Sequence, residues 1–273
     1  MQIALLRHYL SQEEFQAWGW RVPFWISILL LMIAFKVRMA LEETHVFLEL
    51  TEQGQKKTES QLLNNFRDAE IRKRMFLLFL CVSSSGVILF FCVQVYASIF
   101  LKTTVQISTA LADQLSIYAT LALLPLTISA GWLSDKLGRK PVVISGLIFG
   151  ALLTLPAFDL LEKIGVNAKD GNNLSVILLG IILIGLSAIL ALVVDPQTAL
   201  LAELLPARSR NSAATLPHNL AAGWIGGLLP LIVTWINQHW DSSVAGLWYP
   251  TIFLAISATI AIKYLPETQI EKT

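Results

Sequence analysis

Gly131-Trp-Leu-Ser-Asp-Lys-Leu-Gly-Arg-Lys140 is a charged stretch that lies between two long apolar runs. Residues 111–132 are almost entirely apolar, with small polar groups and Asp113 as the interruptions, and residues 141–161 have the same character. Apolar runs of about 20 residues cross a bilayer as α-helices, and Lys and Arg concentrate in the cytoplasmic loops between such helices. The stretch therefore predicts two membrane spans joined by a tight basic hairpin.

The composition extends this interpretation to the whole chain. Mean hydropathy is +0.63, and 55% of the 273 residues are hydrophobic while 14% are charged, which lies outside the usual range of a soluble domain. The formal net charge is +1, and no block of basic residues is interleaved with aromatic ones. We therefore expect the lipid bilayer, and no nucleic acid, as a partner of the chain.

Seven apolar runs are long enough to cross a bilayer as helices. We predict an all-α, polytopic membrane protein with seven transmembrane helices, at residues 22–41, 76–101, 112–133, 141–161, 174–195, 214–236 and 246–265. The fifth helix has an alternative end at about Leu205, because the residues after Pro196 stay apolar apart from Glu203. Residues 42–75 are polar, and we expect an extramembrane loop with some helix there.

The distribution of basic residues predicts the orientation of the chain. If the loop at residues 42–75 is cytoplasmic, fifteen of the twenty Lys and Arg residues lie on the cytoplasmic side. Positively charged loops stay on that side of a membrane. The tail at residues 266–273 is then cytoplasmic, and residues 1–21 form an extracytoplasmic stub.

The charged stretch resembles the signature loop of the major facilitator superfamily of transporters. The pattern of that loop is Gly-x-Leu-Ser/Ala-Asp-Lys/Arg-x-Gly-Arg-Arg/Lys, and residues 131–140 fill every named position. Four further segments resemble the metabolite:proton symporter branch, which includes permeases for proline and betaine, α-ketoglutarate, citrate and shikimate. They are Trp18-Gly-Trp-Arg-Val-Pro-Phe24 with Leu41-Glu-Glu-Thr44, Ala202-Glu-Leu-Leu-Pro-Ala-Arg-Ser-Arg210, Asn219-Leu-Ala-Ala with Gly226-Gly227, and Leu265-Pro-Glu-Thr268.

This resemblance implies a fold of twelve spans in two halves of six, of which the sequence supplies spans six to twelve. Residues 1–21 then include the end of span five, and span six is at 22–41. The central cytoplasmic loop is at 42–75, and the C-terminal six-helix half is at 76–265. We expect an N-terminally truncated transporter, encoded as a fragment, a split gene or a decayed one.

The signature loop is the predicted gating motif. Gly131 permits a close approach of two helices, and Gly138 permits a left-handed turn between spans. Asp135 can accept hydrogen bonds at a helix boundary, where Arg139 can hold it in place. The resemblance implies that such contacts close the cytoplasmic side of the transporter. It also implies that Asp135 and Arg139 contact a surface of span five, which would precede Met1. The alternative is that the basic residues are topological anchors only, namely Lys136, Arg139 and Lys140.

Asp195 is the sharpest candidate for proton coupling. A carboxylate inside an apolar span costs about 2.5–3.5 kcal/mol on insertion scales, and such a residue rarely faces lipid. Pro196 frees a backbone carbonyl one turn back, so Asp195-Pro196-Gln197 has the character of a kinked segment that lines a cavity. The alternative is a carboxylate near the cytoplasmic end that pairs with Arg208 or Arg210, or that reaches water.

Other polar residues in the predicted spans are candidates for the substrate and proton pathway. Gln94 either contacts substrate or forms a hydrogen bond between helices, and Tyr96 either lines the pathway or packs in the interior. His218 is a weaker proton candidate, because a single histidine near a helix start is more often interfacial. Glu203, Arg208 and Arg210 form a predicted cytoplasmic charge cluster with a gating or a purely structural role.

These features favour a secondary transporter over an enzyme. The sequence has no phosphate-binding glycine loop, nucleophile elbow or zinc-binding pattern, so we expect no catalytic residues, metal or cofactor. The predicted function is proton-coupled symport of a small organic acid or osmolyte across the bacterial cytoplasmic (inner) membrane, by alternating access. The alternative is a non-transporting membrane component, or a half that acts only with a separately encoded N-terminal half.

Overall fold

The structure is a computed structural model that describes residues 6, 9–40, 67–169, 172–205 and 210–267; of residues 12, 40, 202 and 210–212 it describes the backbone only. The described residues form helices and short connections, without a strand. Contacts divide the chain into two compact units, residues 1–59 and residues 60–273.

The first unit contains one helix that is long and apolar enough to span a membrane. A short helix, α1 (Gln12–Ala17), begins with a capping box in which Ser11 and Glu14 exchange hydrogen bonds. These hydrogen bonds, first from the Ser11 backbone N–H and then from its hydroxyl, lower the pKa of the Glu14 carboxyl. A 3₁₀ turn (Gly19–Arg21) leads into α2 (Val22–Ala40). Pro23 stands in the first turn of α2, where its missing N–H leaves no intrahelical hydrogen bond unmade.

The second unit is a bundle of helices. They are α3 (Ala69–Thr103), α4 (Thr109–Leu137), α5 (Arg139–Lys169), α6 (Asn173–Glu203), α7 (Arg210–Leu220) with a following π turn (Ala221–Gly226), α8 (Leu229–His239) and α9 (Trp248–Tyr264). Of these, α7 and α8 together form one membrane-spanning segment. A 3₁₀ turn (Ala245–Leu247) precedes α9, and two π turns (Leu78–Ser83 and Phe91–Tyr96) interrupt α3.

The prediction of seven membrane-spanning helices is confirmed. In the described residues, seven helices are long and apolar enough to cross a bilayer: Gly19–Met39, Ala69–Thr103, Thr109–Leu137, Arg139–Lys169, Asn173–Leu201, Ala213–His239 and Ala245–Tyr264. Several are longer than the apolar runs because polar caps extend them. For example, α3 begins seven residues before position 76, since the Asp68 side chain accepts hydrogen bonds from the N–H groups of Glu70 and Ile71.

The fifth predicted span takes the longer of its two alternatives. α6 continues through Pro196 and ends at Glu203, with Leu204 as its C-cap. It packs against both α4 and α5, and α5 also packs against α9. Asp195 and Gln197 therefore lie within a helix that is central to the bundle. Of the predicted loop at residues 42–75, positions 42–66 lie outside the described residues.

The bundle has two ends that differ in chemistry. One end carries the start of α3, the connection between α4 and α5, and the ends of α6 and α9; we call it the signature end. The opposite end carries the end of α3, the end of α8 and the connection that leads into α9; we call it the far end. A core of buried apolar residues, including Phe100, Phe158 and Leu190, lies between them.

Candidate functional site

Arg139 organises the signature end. It is the first residue of α5, and its guanidinium Nη1 donates to Asp135 Oδ1 at 2.9 Å and to Ser134 Oγ at 3.1 Å. Its Nε donates to Glu203 Oε1 at 3.2 Å. The Arg139 side chain is 17% exposed and that of Glu203 is 21% exposed, so water screens this pair only partly. One cation therefore joins the ends of α4 and α6 to the start of α5.

Glu267 is a member of this cluster that the sequence analysis did not identify as a site residue. Its Oε1 accepts hydrogen bonds from the backbone N–H groups of Arg139 at 3.0 Å and Lys140 at 3.5 Å. The first N–H groups of a helix have no intrahelical partner, and a carboxylate there also interacts favourably with the helix dipole. Glu267 thus caps α5 from the segment that follows α9. Glu267 belongs to the Leu265-Pro-Glu-Thr268 segment, and this was the signal in the sequence that could have identified it. No spacing in the sequence predicts its contact with residue 139.

Gly138 has two structural reasons to be glycine. Its φ is +99°, in the region that disfavours a side chain. In addition, a Cβ at this position would lie 2.9 Å from Glu267 Oε2. The glycine therefore provides both the turn between α4 and α5 and the space for the capping carboxylate.

The other residues of the predicted gating motif lie in two different environments. Gly131 lies on α4 facing the Asp195 side chain of α6. Lys136 lies outside the cluster, with Nζ 3.8 Å from the centroid of the exposed Trp132 ring. A Lys over an exposed Trp is typical of a membrane interface. Lys136 therefore fits the anchor interpretation, while Asp135, Gly138 and Arg139 meet in one cluster.

Asp195 lies against Gly131. A Cβ on Gly131 would be 2.6 Å from Asp195 Oδ2, so the carboxylate occupies the space that the glycine leaves at the crossing of α4 and α6. Within the part of the chain that the structure describes, this carboxylate makes no hydrogen bond and no ion pair. Arg139 and Asp135 are close enough for their charges to act on it. The alternative partners, Arg208 and the side chain of Arg210, lie outside the described residues.

Gln197 and His218 form a polar contact inside the bundle. Gln197 Nε2 and His218 Nδ1 are 3.2 Å apart, which joins α6 to α7. Gln197 is 5% exposed, and its Oε1 lies 2.2 Å from the position that a Cβ on Gly86 of α3 would take. The hydroxyls of Ser83 and Ser84, three and two residues before Gly86 on α3, are buried and make no hydrogen bond to a described residue. Of the two, Ser83 lies one turn before Gly86, on the helix face that Gln197 approaches.

Gln94 forms a hydrogen-bonded bridge between three helices. Its Oε1 accepts from Thr120 Oγ1 of α4 at 2.8 Å, and its Nε2 donates to Ser187 Oγ of α6 at 3.4 Å. This arrangement corresponds to the structural alternative in the sequence analysis. The amide also lies within the π turn of α3 at Phe91–Tyr96, and π turns occur frequently at functional sites.

Tyr96 belongs to the far end and packs in the interior. It is 2% exposed and lies among the rings of Phe100 and Phe158, with centroid distances of 6.1 and 5.6 Å. Its hydroxyl accepts a hydrogen bond from Asn237 Nδ2 at 3.0 Å. Tyr96 thus packs in the interior at the far end, and a role in the substrate pathway stays a prediction.

Asn237 is the second important residue that the sequence analysis missed. Besides its bond to Tyr96, its Nδ2 donates to the Ser243 carbonyl at 2.7 Å, and its Oδ1 accepts from the Gly246 N–H at 2.6 Å. Ser243 Oγ in turn donates to Glu162 Oε2 of α5 at 2.5 Å. One amide therefore fixes the connection between α8 and α9 against α3.

The predicted cytoplasmic charge cluster is placed only in part. Glu203 lies at the signature end and pairs with Arg139, while Arg208 and the side chain of Arg210 lie outside the described residues. The second oxygen of Glu203, Oε2, is buried and makes no hydrogen bond to a residue that the structure describes. A role for the two arginines beside it stays a prediction.

Comparisons with known proteins agree with the resemblance in the sequence. The family profile described as the Major Facilitator Superfamily matches residues 93–273, about two thirds of the chain. The inner membrane metabolite transport protein YhjE of Escherichia coli is 28% identical over 89% of this chain and 53% of its own length. No solved structure matches the chain.

Two other relatives carry more specific names. The glycine betaine/proline/ectoine/pipecolic acid transporter OusA of Dickeya dadantii is 26% identical over 95% of this chain and 50% of its own length. The proline/betaine transporter of Salmonella typhimurium is 27% identical over 95% of this chain and 50% of its own length. The chain thus spans about half the length of these curated relatives.

Proposed function

The chain belongs to the Major Facilitator Superfamily, and from this premise we propose that it forms the C-terminal portion of a proton-coupled secondary transporter for a small organic solute. The names of its relatives, which refer to metabolites, proline and betaine, support a metabolite or an osmolyte as that solute. An ion-driven transporter needs no cofactor and no enzymatic centre. We assign the seven spans to positions six to twelve of a twelve-span fold.

The polar contact of Gln197 and His218 carries this proposal. Buried polar groups in a protein interior are nearly always hydrogen-bonded, because each unpaired group costs free energy. The buried Ser83 hydroxyl, one turn before Gly86 on α3, has no such partner among the described residues. A solute with a carboxylate or hydroxyl groups would supply the missing partner. Alternating-access transporters place their sites at the middle of the membrane, between their two repeats.

Asp195 is the proposed binding site of the coupled proton. Its carboxylate lies in a membrane-spanning helix without a described partner, and intramembrane carboxylates commonly serve as proton relays. Gly131 leaves room for it beside the signature loop. His218 is assigned a positioning role, since its ring nitrogen is engaged with Gln197.

The cluster around Arg139 is the proposed gate. Its ion pairs hold α4, α5 and α6 together at the signature end and would have to rearrange when the transport pathway opens on that side. The excess of Lys and Arg supports a cytoplasmic location of this end and of the C-terminus. We propose the bacterial inner membrane as the location of the protein.

The transport site of this fold lies between two halves, so we propose that transport requires a first half, encoded upstream or separately. The test is uptake of radiolabelled proline, glycine betaine and organic acids by cells. One strain expresses this chain alone, and another expresses it with the coding sequence upstream of Met1. We expect uptake only in the second strain, which would exclude the alternative of a non-transporting component. Equal background uptake in both strains would contradict a transporter that the upstream sequence completes.

A pair of glutamine variants tests the site itself. Gln197→Ala should raise the KM of uptake about fivefold or more, because a buried hydrogen bond to substrate is worth about 1–3 kcal/mol. Gln114→Ala makes the same change at an exposed position of α4 and should leave the KM unchanged. If Gln197→Ala transports with the unmodified KM, Gln197 does not contact the solute.

A further inference from the structure

A cavity opens at the signature end, apart from the contacts described above. It has a volume of about 180 Å³ and lies between the start of α3 and the ends of α6 and α9. It is lined by Lys73, Arg74 and Glu70 of α3, by Leu204 just after α6, and by Tyr264 and Pro266 at the end of α9. The ends of three membrane-spanning helices therefore enclose a space with a charged wall.

The charges in this cavity favour an anion. Arg74 is held in place, because its Nη1 donates to the Leu204 carbonyl at 2.9 Å and its Nη2 pairs with Glu70. This pairing offsets the negative charge of Glu70. Lys73 is exposed and makes no hydrogen bond or ion pair to any residue in the described part of the chain. Among the described residues the cavity wall thus keeps one positive charge without a countercharge, beside a guanidinium in a fixed orientation.

The remaining surroundings favour a lipid over a soluble anion. Leu77 and the ring of Tyr264 form apolar walls, and Tyr264 is half exposed with Lys263 Nζ 5.3 Å from its ring centroid. Tyr and Lys side chains concentrate at the level of lipid headgroups. Basic pockets between transmembrane helices at this depth are suited to anionic phospholipid headgroups.

We infer that this cavity binds the phosphate group of an anionic phospholipid, with Lys73 and Arg74 as its ligands. The fixed guanidinium of Arg74 orients the phosphate, and Lys73 supplies the mobile countercharge. Tyr264 and Leu77 contact the glycerol and the first acyl carbons. The inference rests on the cavity alone and is independent of which solute the protein carries.

The position of the cavity links the lipid to the signature loop. Leu204 contacts Arg74, and its neighbour Glu203 pairs with Arg139. In the same way Pro266 lines the cavity, and its neighbour Glu267 caps α5. A bound phosphate therefore orders the two segments that carry the acidic partners of Arg139, and the lipid stabilises the signature end.

Native mass spectrometry of the detergent-purified chain with added phosphatidylglycerol or phosphatidylethanolamine tests this inference. We expect one phosphatidylglycerol to be retained more strongly than the zwitterionic lipid. Lys73→Gln should weaken its binding about fivefold, because a basic residue near an anionic lipid contributes about 1 kcal/mol. Lys73→Arg keeps the charge and should keep the affinity. Lys169→Gln removes an exposed Lys at the far end and should have no effect.

Three results would overturn the inference. The first is equal affinity of the unmodified chain and Lys73→Gln for phosphatidylglycerol. The second is an equal loss in Lys169→Gln, which would mean that the lipid binds without a defined site. The third is that inorganic phosphate displaces the bound lipid as effectively as short-chain phosphatidylglycerol does at the same concentration. That result would identify the ligand as a soluble anion. Thermal unfolding of each variant controls for misfolding.

Discussion

The Arg139 cluster at the signature end and the Asn237 contacts at the far end hold helices together by different chemistry. At the signature end, the charged Arg139 contacts Asp135 and Glu203, and Glu267 caps the helix that Arg139 begins. At the far end, the neutral amide of Asn237 makes three hydrogen bonds, to Tyr96 and to two backbone groups. The first arrangement consists of ion pairs and a charged cap, whereas the second is neutral. The far end also contains one ion pair, between Lys102 of α3 and Asp113 of α4 at 2.6 Å, outside the Asn237 contacts.

This difference suggests which end moves. Asp135 is 66% exposed, and an ion pair with an exposed partner exchanges readily with water. Asn237 forms hydrogen bonds with the buried hydroxyl of Tyr96 and with backbone groups of the connection between α8 and α9. Breaking these bonds would leave buried polar groups without a partner, and water would not replace it. We therefore expect the signature end to rearrange during function while the far end keeps its contacts.

The largest loss of stability is expected when the far end is broken. Asn237→Ala removes three hydrogen bonds and leaves the Gly246 N–H without its acceptor, which should lower the free energy of unfolding by about 2–4 kcal/mol. The measurement is thermal unfolding, monitored by the labelling of Cys81 and Cys92, since both thiols are free and buried. Gln238→Ala changes the exposed neighbour and should cost less than about 0.5 kcal/mol. Equal losses in both variants would contradict the role of Asn237.

An intermediate loss is expected when the centre of the signature end is removed. Arg139→Gln leaves the carboxylate of Glu203 partly buried without its countercharge, which should cost about 1–3 kcal/mol in the same thiol-labelling assay. Lys163→Gln is the control, because Lys163 forms an exposed pair with Asp159 and its loss should cost at most about 0.5 kcal/mol. If the two variants unfold at the same temperature, the Arg139 cluster does not hold the helices together.

The smallest loss is expected for the capping carboxylate. Glu267→Gln keeps an oxygen acceptor but removes the charge at the start of α5, which should cost about 0.3–1 kcal/mol. Glu267→Ala also removes the acceptor for the N–H groups of Arg139 and Lys140 and should cost more. Thermal unfolding at low and high salt separates the two contributions, because salt screens only the charge. A Glu267→Ala protein as stable as the unmodified chain would exclude the cap.

The sequence predicted the fold more completely than the site. Runs of apolar residues identify membrane spans by length alone, and polar caps such as Asp68 explain why the helices exceed those runs. Periodicity does not determine which residues of distant helices meet. Glu267 and Arg139 are 128 residues apart, and Asn237 and Tyr96 are 141 residues apart. The charged end was therefore predictable from a local pattern, whereas its cap and the far end required the tertiary structure.

Glu203 illustrates the same limit. The sequence placed it with Arg208 and Arg210, which are near in the chain, whereas the structure pairs it with Arg139, because α6 packs along the start of α5. For Asp195 the sequence identified a carboxylate inside a span but not its contact with Gly131, which depends on how α4 and α6 cross. Local patterns thus identify reactive side chains, and packing decides what they face.

The most direct test of the account concerns Asp195, which lies just inside the signature end. The measurement is uptake into vesicles that contain the protein with its first half, driven by an imposed pH gradient, and compared with solute exchange without a gradient. Asp241→Asn serves as a control, since Asp241 is exposed and lies between α8 and α9. The account predicts that the Asp195→Asn protein exchanges solute but does not accumulate it, while the Asp241→Asn protein both exchanges and accumulates solute. Normal accumulation by Asp195→Asn would contradict the assignment of the coupled proton to this carboxylate.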